Sequence, residues 1–340
     1  MIKKWHLKAV VQKIISYLPG SSRLNYFFQR YVTKGVLLDD THFGYKIQHA
    51  ADHLDHLKKY TPRSEQEELT ILELGLGWYP IIPTVFYLTG RGRTISYDIY
   101  DWMTAQSMIK AFEKTLEWLD DGRLCDLFKE HPFIPERVDT LRGIVDDSLL
   151  SKPSGYDRIP QSDSPNQTRG SKPPGDVWTR ESLNKIIGLT PKIQDARQSG
   201  LAPASIDFIC SNNTFEHVHA EVLSGILAEF QRVLKPGGIS SHFIDMSDHF
   251  AHFDSSITVY NFLQFSERQW RRIDNNIQPQ NRLRMPDYQA MYQALEIPVL
   301  DTIVRPGNLD TLSSVSLANP FRELPAEQVA ITHAYMVSSR

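Results

Sequence analysis

Two glycines that follow a short apolar run are the first residues with a clear chemical role. The run of residues 70–74 ends just before Gly75 and Gly77, and Glu73 is its only charged member. Such a run predicts a strand, and the glycines predict a tight turn whose backbone can approach a ligand closely. Asp98 follows a second predicted strand, 21 residues beyond Gly77. Because an acid at that place binds ribose hydroxyls, the spacing predicts a nucleoside site.

The charge beside this turn distinguishes between nucleoside cofactors. A dinucleotide site normally has a third glycine where this sequence has Pro80, and it holds a pyrophosphate that the Glu73 carboxylate would repel. S-adenosylmethionine has no phosphate and carries a sulfonium and an ammonium group, both of which suit a nearby carboxylate. The sequence therefore favours S-adenosylmethionine over NAD.

The turn also resembles a known family. Glu73-x-Gly75-x-Gly77 is similar to the first motif of the class I S-adenosylmethionine-dependent methyltransferases, and Asp98 resembles their ribose-binding acid. The resemblance continues in the family's order to about residue 245. It implies a Rossmann-like fold, S-adenosylmethionine as co-substrate, and cofactor contacts from Glu73, Gly75, Gly77 and Asp98.

Later segments extend the resemblance. Asp195 and Ala196 follow the third predicted strand, at the position that contacts the adenine in this family. Residues 205–218 resemble the fourth strand and its loop, and residues 232–238 resemble the turn into the fifth strand. The resemblance implies cofactor contacts from Asp195, Ala196 and Asn212.

A run rich in histidine and aspartate supplies the predicted catalytic groups. It begins on the fifth predicted strand at His242 and passes its carboxyl end, where open α/β sheets bind their ligands. Methyl transfer to a hydroxyl needs a base, so Asp248, His249 and His252 are predicted to be the base and the acceptor contacts. The alternative is that these residues close a polar loop through hydrogen bonds.

Metal ions and nucleic acids are not predicted as ligands. Residues 211–213 carry no carboxylate, although metal-dependent relatives have acids directly after the fourth strand. His49, His53 and His56 share a predicted helix face, but no Cys or acidic cluster completes a ligand set there, and a solvated helix surface is the alternative. The 37 basic and 40 acidic residues nearly balance, and residues 214–215 lack the motif of enzymes that methylate nucleic-acid bases.

The order of predicted elements defines the fold class. Strands alternate with helices, which predicts an α/β, Rossmann-like, doubly wound and mostly parallel sheet of seven strands. The predicted strands are residues 70–74, 94–97, 192–194, 205–210, 239–245, 298–304 and 329–337. Residues 1–68 are predicted to form an N-terminal helical cap and residues 69–340 the methyltransferase domain. An insertion at about 120–190, with a Ser-, Pro- and Gly-rich loop at 151–176, is predicted to cover the acceptor site.

Composition bears on the cellular setting. Cys125 and Cys210 are too few for a disulfide framework, which favours a reducing cytoplasm. No apolar run approaches the roughly 20 residues needed to span a bilayer. The lysine-rich first 20 residues predict an amphipathic helix packed on its own domain, and the alternative is a helix that contacts a membrane surface.

These observations combine into one functional hypothesis. The sequence predicts in-line transfer of a methyl group from S-adenosylmethionine to a small-molecule hydroxyl, on a sugar or a natural product. Residues 242–288 resemble bacterial methyltransferases of glycan or secondary-metabolite assembly. The alternatives are an NAD-dependent oxidoreductase and a non-catalytic partner protein that binds S-adenosylmethionine.

Overall fold

The computed structural model contains a seven-stranded sheet, as the sequence predicted. It describes residues 4–17, 38–61, 68–150, 178–276 and 278–340. The strands are β1 (Leu69–Leu74), β2 (Gly92–Asp98), β3 (Leu189–Ile193), β4 (Ile206–Asn212), β5 (Leu234–Asp245), β6 (Val299–Arg305) and β7 (His333–Ser339).

The strand order is β3-β2-β1-β4-β5-β7-β6. The pairs among β1 to β5 are parallel, whereas β7 runs antiparallel to both β5 and β6. The order reverses between β1 and β4, which open α/β sheets use as a ligand crevice at the carboxyl ends of the strands. The Rossmann-like, mostly parallel fold is therefore confirmed.

Helices cover both faces of the sheet. They are α1 (Lys4–Ser16), α2 (Asp40–Tyr60), α3 (Ile81–Leu88), α4 (Ala105–Asp120), α5 (Pro135–Leu150), α6 (Arg180–Ile186), α7 (Ala220–Val233), α8 (Glu267–Ile273), α9 (Met285–Ala294), α10 (Leu309–Ser313) and α11 (Ala326–Ala330). On β1, Ile71 packs with α2 and α3 while the next residue, Leu72, packs with α7 and α9. Both are fully buried, as expected where successive side chains of a central strand enter opposite cores.

Helix α2 uses its histidines to bind the sheet. His53 and His56 both place Nδ1 2.8 Å from the hydroxyl oxygen of Ser241 on β5, and His49 Nδ1 lies 2.7 Å from the hydroxyl of Tyr335 on β7. All three rings are buried. The prediction that they share a face is confirmed, but the alternative of a solvated surface is wrong, because this face fills the space against β5 and β7.

Helix α1 packs on its own domain through one face. Trp5 and Ala9 are buried in a cluster with Phe250 and Trp270, and the backbone N–H of Trp5 donates to Asp254 Oδ2 at 3.0 Å. On the other face Leu7, Val10 and Ile14 are exposed. Contact of that face with a membrane surface stays a prediction. No helix among the described residues is long and apolar enough to cross a bilayer.

Several predicted strand boundaries differ from the observed ones, and the starts of β5 and β7 differ most. β5 begins at Leu234 and runs through residues 235–238, which the sequence predicted as a turn. β7 begins at His333, and the residues from Val329 that were predicted as strand lie partly in α11. The buried guanidinium of Arg284 explains the second case, because it donates to the backbone carbonyls of Val329 and Ile331 and so occupies acceptors that a ladder would need.

The described part of the predicted insertion contains turns at residues 121–130 and two helices. α5 and α6 lie within it and pack with α4 beside β3. The predicted loop at 151–176 lies outside the described residues. The division into a cap at 1–68 and a domain at 69–340, and the covering role of the insertion, remain predictions.

Candidate active site

The glycine turn after β1 combines two glycines with different surroundings. Gly75 and Gly77 have φ angles of +93° and +63°, in the left-handed region that favours glycine. A Cβ on Gly75 would overlap the hydroxyl of Thr214, whereas a Cβ on Gly77 would meet no atom within 4 Å. Gly75 is therefore required by packing, and Gly77 leaves open space beside the turn.

Asp98 is held at the end of β2 by backbone donors. Its Oδ2 accepts from the N–H of Gly77 at 3.0 Å, and its Oδ1 accepts from the N–H of Tyr100 at 3.0 Å. Burial raises the pKa of this carboxyl above its ordinary value, against the effect of these hydrogen bonds. The carboxylate therefore has a fixed place next to the open side of the glycine turn.

Glu73 lies beneath the turn and is almost fully buried. Its carboxylate accepts a hydrogen bond from the hydroxyl of Ser96 on β2. Burial raises the pKa of Glu73 to about 7, although the positive charge of Lys46 on α2 opposes this. The group therefore changes charge near neutral pH, where a bound cation would favour its ionised form.

Asn212 and the Asp195–Ala196 pair end two further strands. Asn212 Oδ1 lies 3.1 Å from His53 Nε2, and its Nδ2 is buried without a hydrogen-bond partner among the described residues. Asp195 begins a short 3₁₀ helix and is paired with Arg197, with 2.9 Å between Oδ2 and Nε, while Ala196 is buried. Both positions lie on the carboxyl side of the sheet, as a cofactor contact requires.

Asp245, the last residue of β5, is surrounded by imidazoles. Its oxygens lie 3.3 Å from His249 Nε2, 3.4 Å from His333 Nε2 and 3.9 Å from His252 Nε2. Its Oδ1 also accepts from the backbone N–H and the hydroxyl of Ser247. Burial alone raises the pKa of Asp245, but the hydrogen bonds and charges of the imidazoles outweigh it and leave the pKa far below its usual range.

Asp248, which was predicted with His249 and His252 as a base or acceptor contact, hydrogen-bonds other groups in the structure. It is fully buried, and its oxygens accept from the N–H of Phe250 at 2.8 Å and from Asn261 Nδ2 at 3.1 Å. These bonds close the loop after β5. Asp245 is the carboxylate beside His249 and His252, because it stands at the strand end that both rings approach. Sequence reasoning missed it, although its place four residues before His249 is a signal.

A short 3₁₀ helix after β4 adds a buried carboxyl and an imidazole. Glu216 is 1% exposed, and neither of its oxygens has a hydrogen-bond partner among the described residues. Burial raises the pKa of Glu216 well above its ordinary value. His217 Nδ1 lies 2.7 Å from the carbonyl of Pro279, and burial lowers the pKa of His217 to about 4. Sequence reasoning did not assign a role to Glu216.

The site as a whole suits a positively charged nucleoside. Carboxylates from Glu73, Asp98 and Asp245 lie at the carboxyl ends of β1, β2 and β5, with the open side of Gly77 at the switch point between β1 and β4. Such a group attracts a cation and repels a pyrophosphate. The arrangement can hold a cofactor next to a set of imidazoles that can accept a proton.

Comparison with known proteins supports this interpretation. Residues 178–241 match a family model described as "Methyltransferase domain". The match spans α6 to the middle of β5, and it includes Asp195, Asn212 and Glu216. The match covers less than a fifth of the chain. Within those residues it favours a methyltransferase that uses S-adenosylmethionine over the NAD-dependent alternative.

Solved structures of methyltransferases are distantly similar to this chain. Geranyl diphosphate C-methyltransferase from Streptomyces coelicolor A3(2) has 9% identity and a TM-score of 0.39, over 86% of this chain and 77% of that one. A putative sarcosine dimethylglycine methyltransferase from Galdieria sulphuraria has 13% identity and a TM-score of 0.40, over 87% and 85%. No curated protein matches the sequence. The assignment therefore depends on the family match, the sheet topology and the motifs.

Proposed function

We propose that this protein is a class I methyltransferase that transfers the methyl group of S-adenosylmethionine to a hydroxyl of a small molecule, such as a sugar or a natural product. The observation that carries the proposal is the set of imidazoles around the ionised Asp245 at the end of β5. An oxygen acceptor must lose a proton during transfer, and a positioned imidazole accelerates such a step about 10²–10⁴-fold.

The cofactor is proposed to lie across the open side of the glycine turn. Asp98 binds the ribose hydroxyls, and Asp195 with Ala196 contacts the adenine. Glu73 faces the sulfonium and ammonium groups of the methionine end, and Nδ2 of Asn212 donates to the methionine carboxylate. The match between acidic groups and a cationic ligand supports this orientation.

The reaction is an in-line displacement. His252 accepts the proton of the acceptor hydroxyl, and Asp245 stabilises the imidazolium that forms, while His249 contacts the hydroxyl oxygen. An oxygen lone pair forms the new bond to the methyl carbon. The bond from that carbon to sulfur breaks and leaves its electron pair on sulfur, which gives neutral S-adenosylhomocysteine.

Charge supports a small acceptor. The chain has a formal net charge of −3, and the site itself is rich in carboxylates, so a polyanion is a poor partner. The insertion near residues 120–190 is proposed to cover the acceptor. Specificity would then come from segments outside the motifs.

Labelled cofactor tests the proposal. The protein is incubated with S-adenosylmethionine carrying a deuterated methyl group and a panel of catechols, glycosides and hydroxybenzoates, with matched primary and secondary amines in parallel. We expect mass spectrometry to find the label on ether oxygens. Label found only on amines or carbon would overturn O-methylation and leave the family assignment intact.

Variants test the residue roles in the same assay. His252→Ala is expected to lower kcat about 100-fold with little change in cofactor affinity, because the base is lost. His42→Ala is the matched control, since this histidine is exposed at the start of α2 and hydrogen-bonds only its neighbour Asp39 among the described residues. Equal activity of the two variants would show that the base lies elsewhere.

A further inference from the structure

Glu216 is a buried acid that the described residues leave without a hydrogen-bond donor. Its side chain is 1% exposed, and neither carboxylate oxygen accepts a hydrogen bond from the described residues. A buried carboxyl without a partner is costly, so native structures almost always provide a hydrogen bond, a counter-charge or a metal ion. Lys46 places a positive charge nearby, but no described group hydrogen-bonds either carboxylate oxygen, so the position points to a further ligand.

Two imidazoles lie within reach of this carboxyl. Glu216, His217 and His249 each offer one ligand atom, and these three atoms lie within 4.8 Å of one another. The rings of His217 and His249 meet edge to face with their centroids 4.9 Å apart. The 3₁₀ helix after β4 and the loop after β5 bring the three residues together.

A hydrogen bond to His217 and a carboxylate beside His249 position the two rings. A carbonyl oxygen only accepts, so the contact of 2.7 Å between His217 Nδ1 and Pro279 requires the proton on Nδ1 and leaves a lone pair on Nε2. His249 Nε2 lies 3.3 Å from Asp245 Oδ2. Metal-binding histidines are commonly oriented by carbonyls and carboxylates of this kind.

We propose that Glu216, His217 and His249 bind a divalent transition-metal ion. Two imidazole nitrogens and one carboxylate oxygen form the ligand set of many catalytic zinc and non-haem iron sites. Mg²⁺ and Ca²⁺ prefer oxygen ligands, so Zn²⁺, Co²⁺, Mn²⁺ and Fe²⁺ are the chemical class that fits. Asp245 is the outer carboxylate that orients His249.

The sequence did not indicate this site. The interpretation of residues 211–213 considered only acids directly after β4, whereas the carboxylate comes at Glu216 and the third ligand lies beyond β5. With three protein ligands, the ion keeps open coordination positions. One of these would take the acceptor hydroxyl in place of a direct contact from His249 and would lower its pKa, which would favour proton loss to His252. This role rests on the proposed function, whereas the binding site itself does not.

Cobalt provides the direct test. Tag-free full-length protein is treated with a chelator, dialysed, and titrated with Co²⁺ while the visible absorption of the metal is recorded. We expect one Co²⁺ per chain, with d–d bands that show nitrogen and oxygen ligands and that disappear when Zn²⁺ is added. Absence of such bands at millimolar Co²⁺ would overturn the proposal.

Variants localise the ion. Glu216→Gln, His217→Ala and His249→Ala are each expected to weaken Co²⁺ binding at least tenfold, while His42→Ala binds as the unaltered protein does. Calorimetry with S-adenosylhomocysteine checks that each variant is folded. Because three ligand positions are tested, the assignment can still be judged if one variant does not fold. Equal Co²⁺ affinity in all three folded variants would place the ion elsewhere and overturn the assignment.

This test separates the two proposals. Metal bound at the site, together with label transferred only to amines, would leave the site standing and remove the hydroxyl acceptor. Methylation of hydroxyls by chelator-treated protein that binds no Co²⁺ would instead remove the metal site and leave the hydroxyl acceptor standing.

Discussion

At the ends of β1 and β2 the backbone forms the site, whereas at the ends of β4 and β5 side chains form it. Gly75 and Gly77 contribute a turn, and Asp98 is held by two backbone N–H groups. By contrast, Glu216 and Asp245 are surrounded by side chains from several parts of the chain. We call the residues at the ends of β1 and β2 the backbone half of the site, and those at the ends of β4 and β5 the side-chain half. The backbone half has one fixed shape, whereas the side-chain half contains ionisable groups whose charges depend on one another.

The two halves suit different ligands, a cofactor common to a whole family and an acceptor particular to one enzyme. A backbone turn serves any sequence that can place glycine there, so it suits a cofactor shared by a whole family. A cluster of imidazoles and carboxylates is easily altered by single substitutions, so it suits an acceptor peculiar to one enzyme. Substitutions in the two halves should therefore have different effects on folding, cofactor affinity and turnover.

Gly75→Ala and Gly77→Ala test the backbone half most strongly. Gly75→Ala is expected to lower the free energy of unfolding by about 3 kcal/mol, from its left-handed φ and the overlap with Thr214. Gly77→Ala should cost only about 1 kcal/mol, but it should weaken S-adenosylmethionine binding, since its methyl enters the open space. Urea unfolding and calorimetry measure both, and equal stability of the two variants would contradict the packing argument.

Asp98→Ala should produce the next largest effect. Two charge-assisted hydrogen bonds to the ribose are lost, and we expect S-adenosylmethionine to bind about 100-fold more weakly by calorimetry. Asp101→Ala is the control, because this exposed acid is three residues away and pairs with Arg180. Unchanged affinity in Asp98→Ala would remove the ribose assignment.

Asp245→Asn and Asp248→Asn distinguish an acid that supports catalysis from an acid that supports folding in the side-chain half. Asp245→Asn should lower kcat about 30-fold, because His249 and His252 lose the charge that orients and stabilises them. Asp248→Asn should instead lower the free energy of unfolding by about 1–3 kcal/mol, since it disturbs a buried loop. A larger fall in kcat for Asp248→Asn than for Asp245→Asn would reverse the assignment of the two acids.

The pH dependence of cofactor binding is the smallest expected effect. The pKa of Glu73 is raised to about 7, and a bound sulfonium stabilises the carboxylate, so binding releases a proton below that pH. Affinity should therefore rise up to about tenfold between pH 6 and pH 8 and then level off. Glu73→Gln should abolish this dependence in calorimetry, and the same dependence in both proteins would assign it to another group.

The order of strands and helices could be predicted because it follows from local patterns. β1 and the glycine turn combine an apolar run with residues that permit left-handed backbone, and the strand predicted at residues 70–74 lies within the observed β1. Asp98 was found from its spacing alone. Each of these signals lies within a few residues of the feature that it predicts.

The side-chain half could not be predicted in the same way, because its partners are distant in sequence. Nothing near Glu216 shows that it lacks a hydrogen-bond partner or that it meets His249 across two strands. The charge of Lys46 acts on both Glu216 and Glu73, yet Lys46 stands on a helix that the sequence assigned to a separate cap. The start of β7 was misplaced for a similar reason, since Arg284 lies about 50 residues away.

The histidine face of α2 has a consequence for how the chain folds. His53 bonds Asn212 and Ser241, and these partners lie 159 and 188 residues away. Ser241 and Asn212 are buried, so their side-chain oxygens gain these hydrogen bonds only when α2 has docked. Formation of the central strands and docking of α2 are therefore expected to be one cooperative event, and such long-range closure is slow.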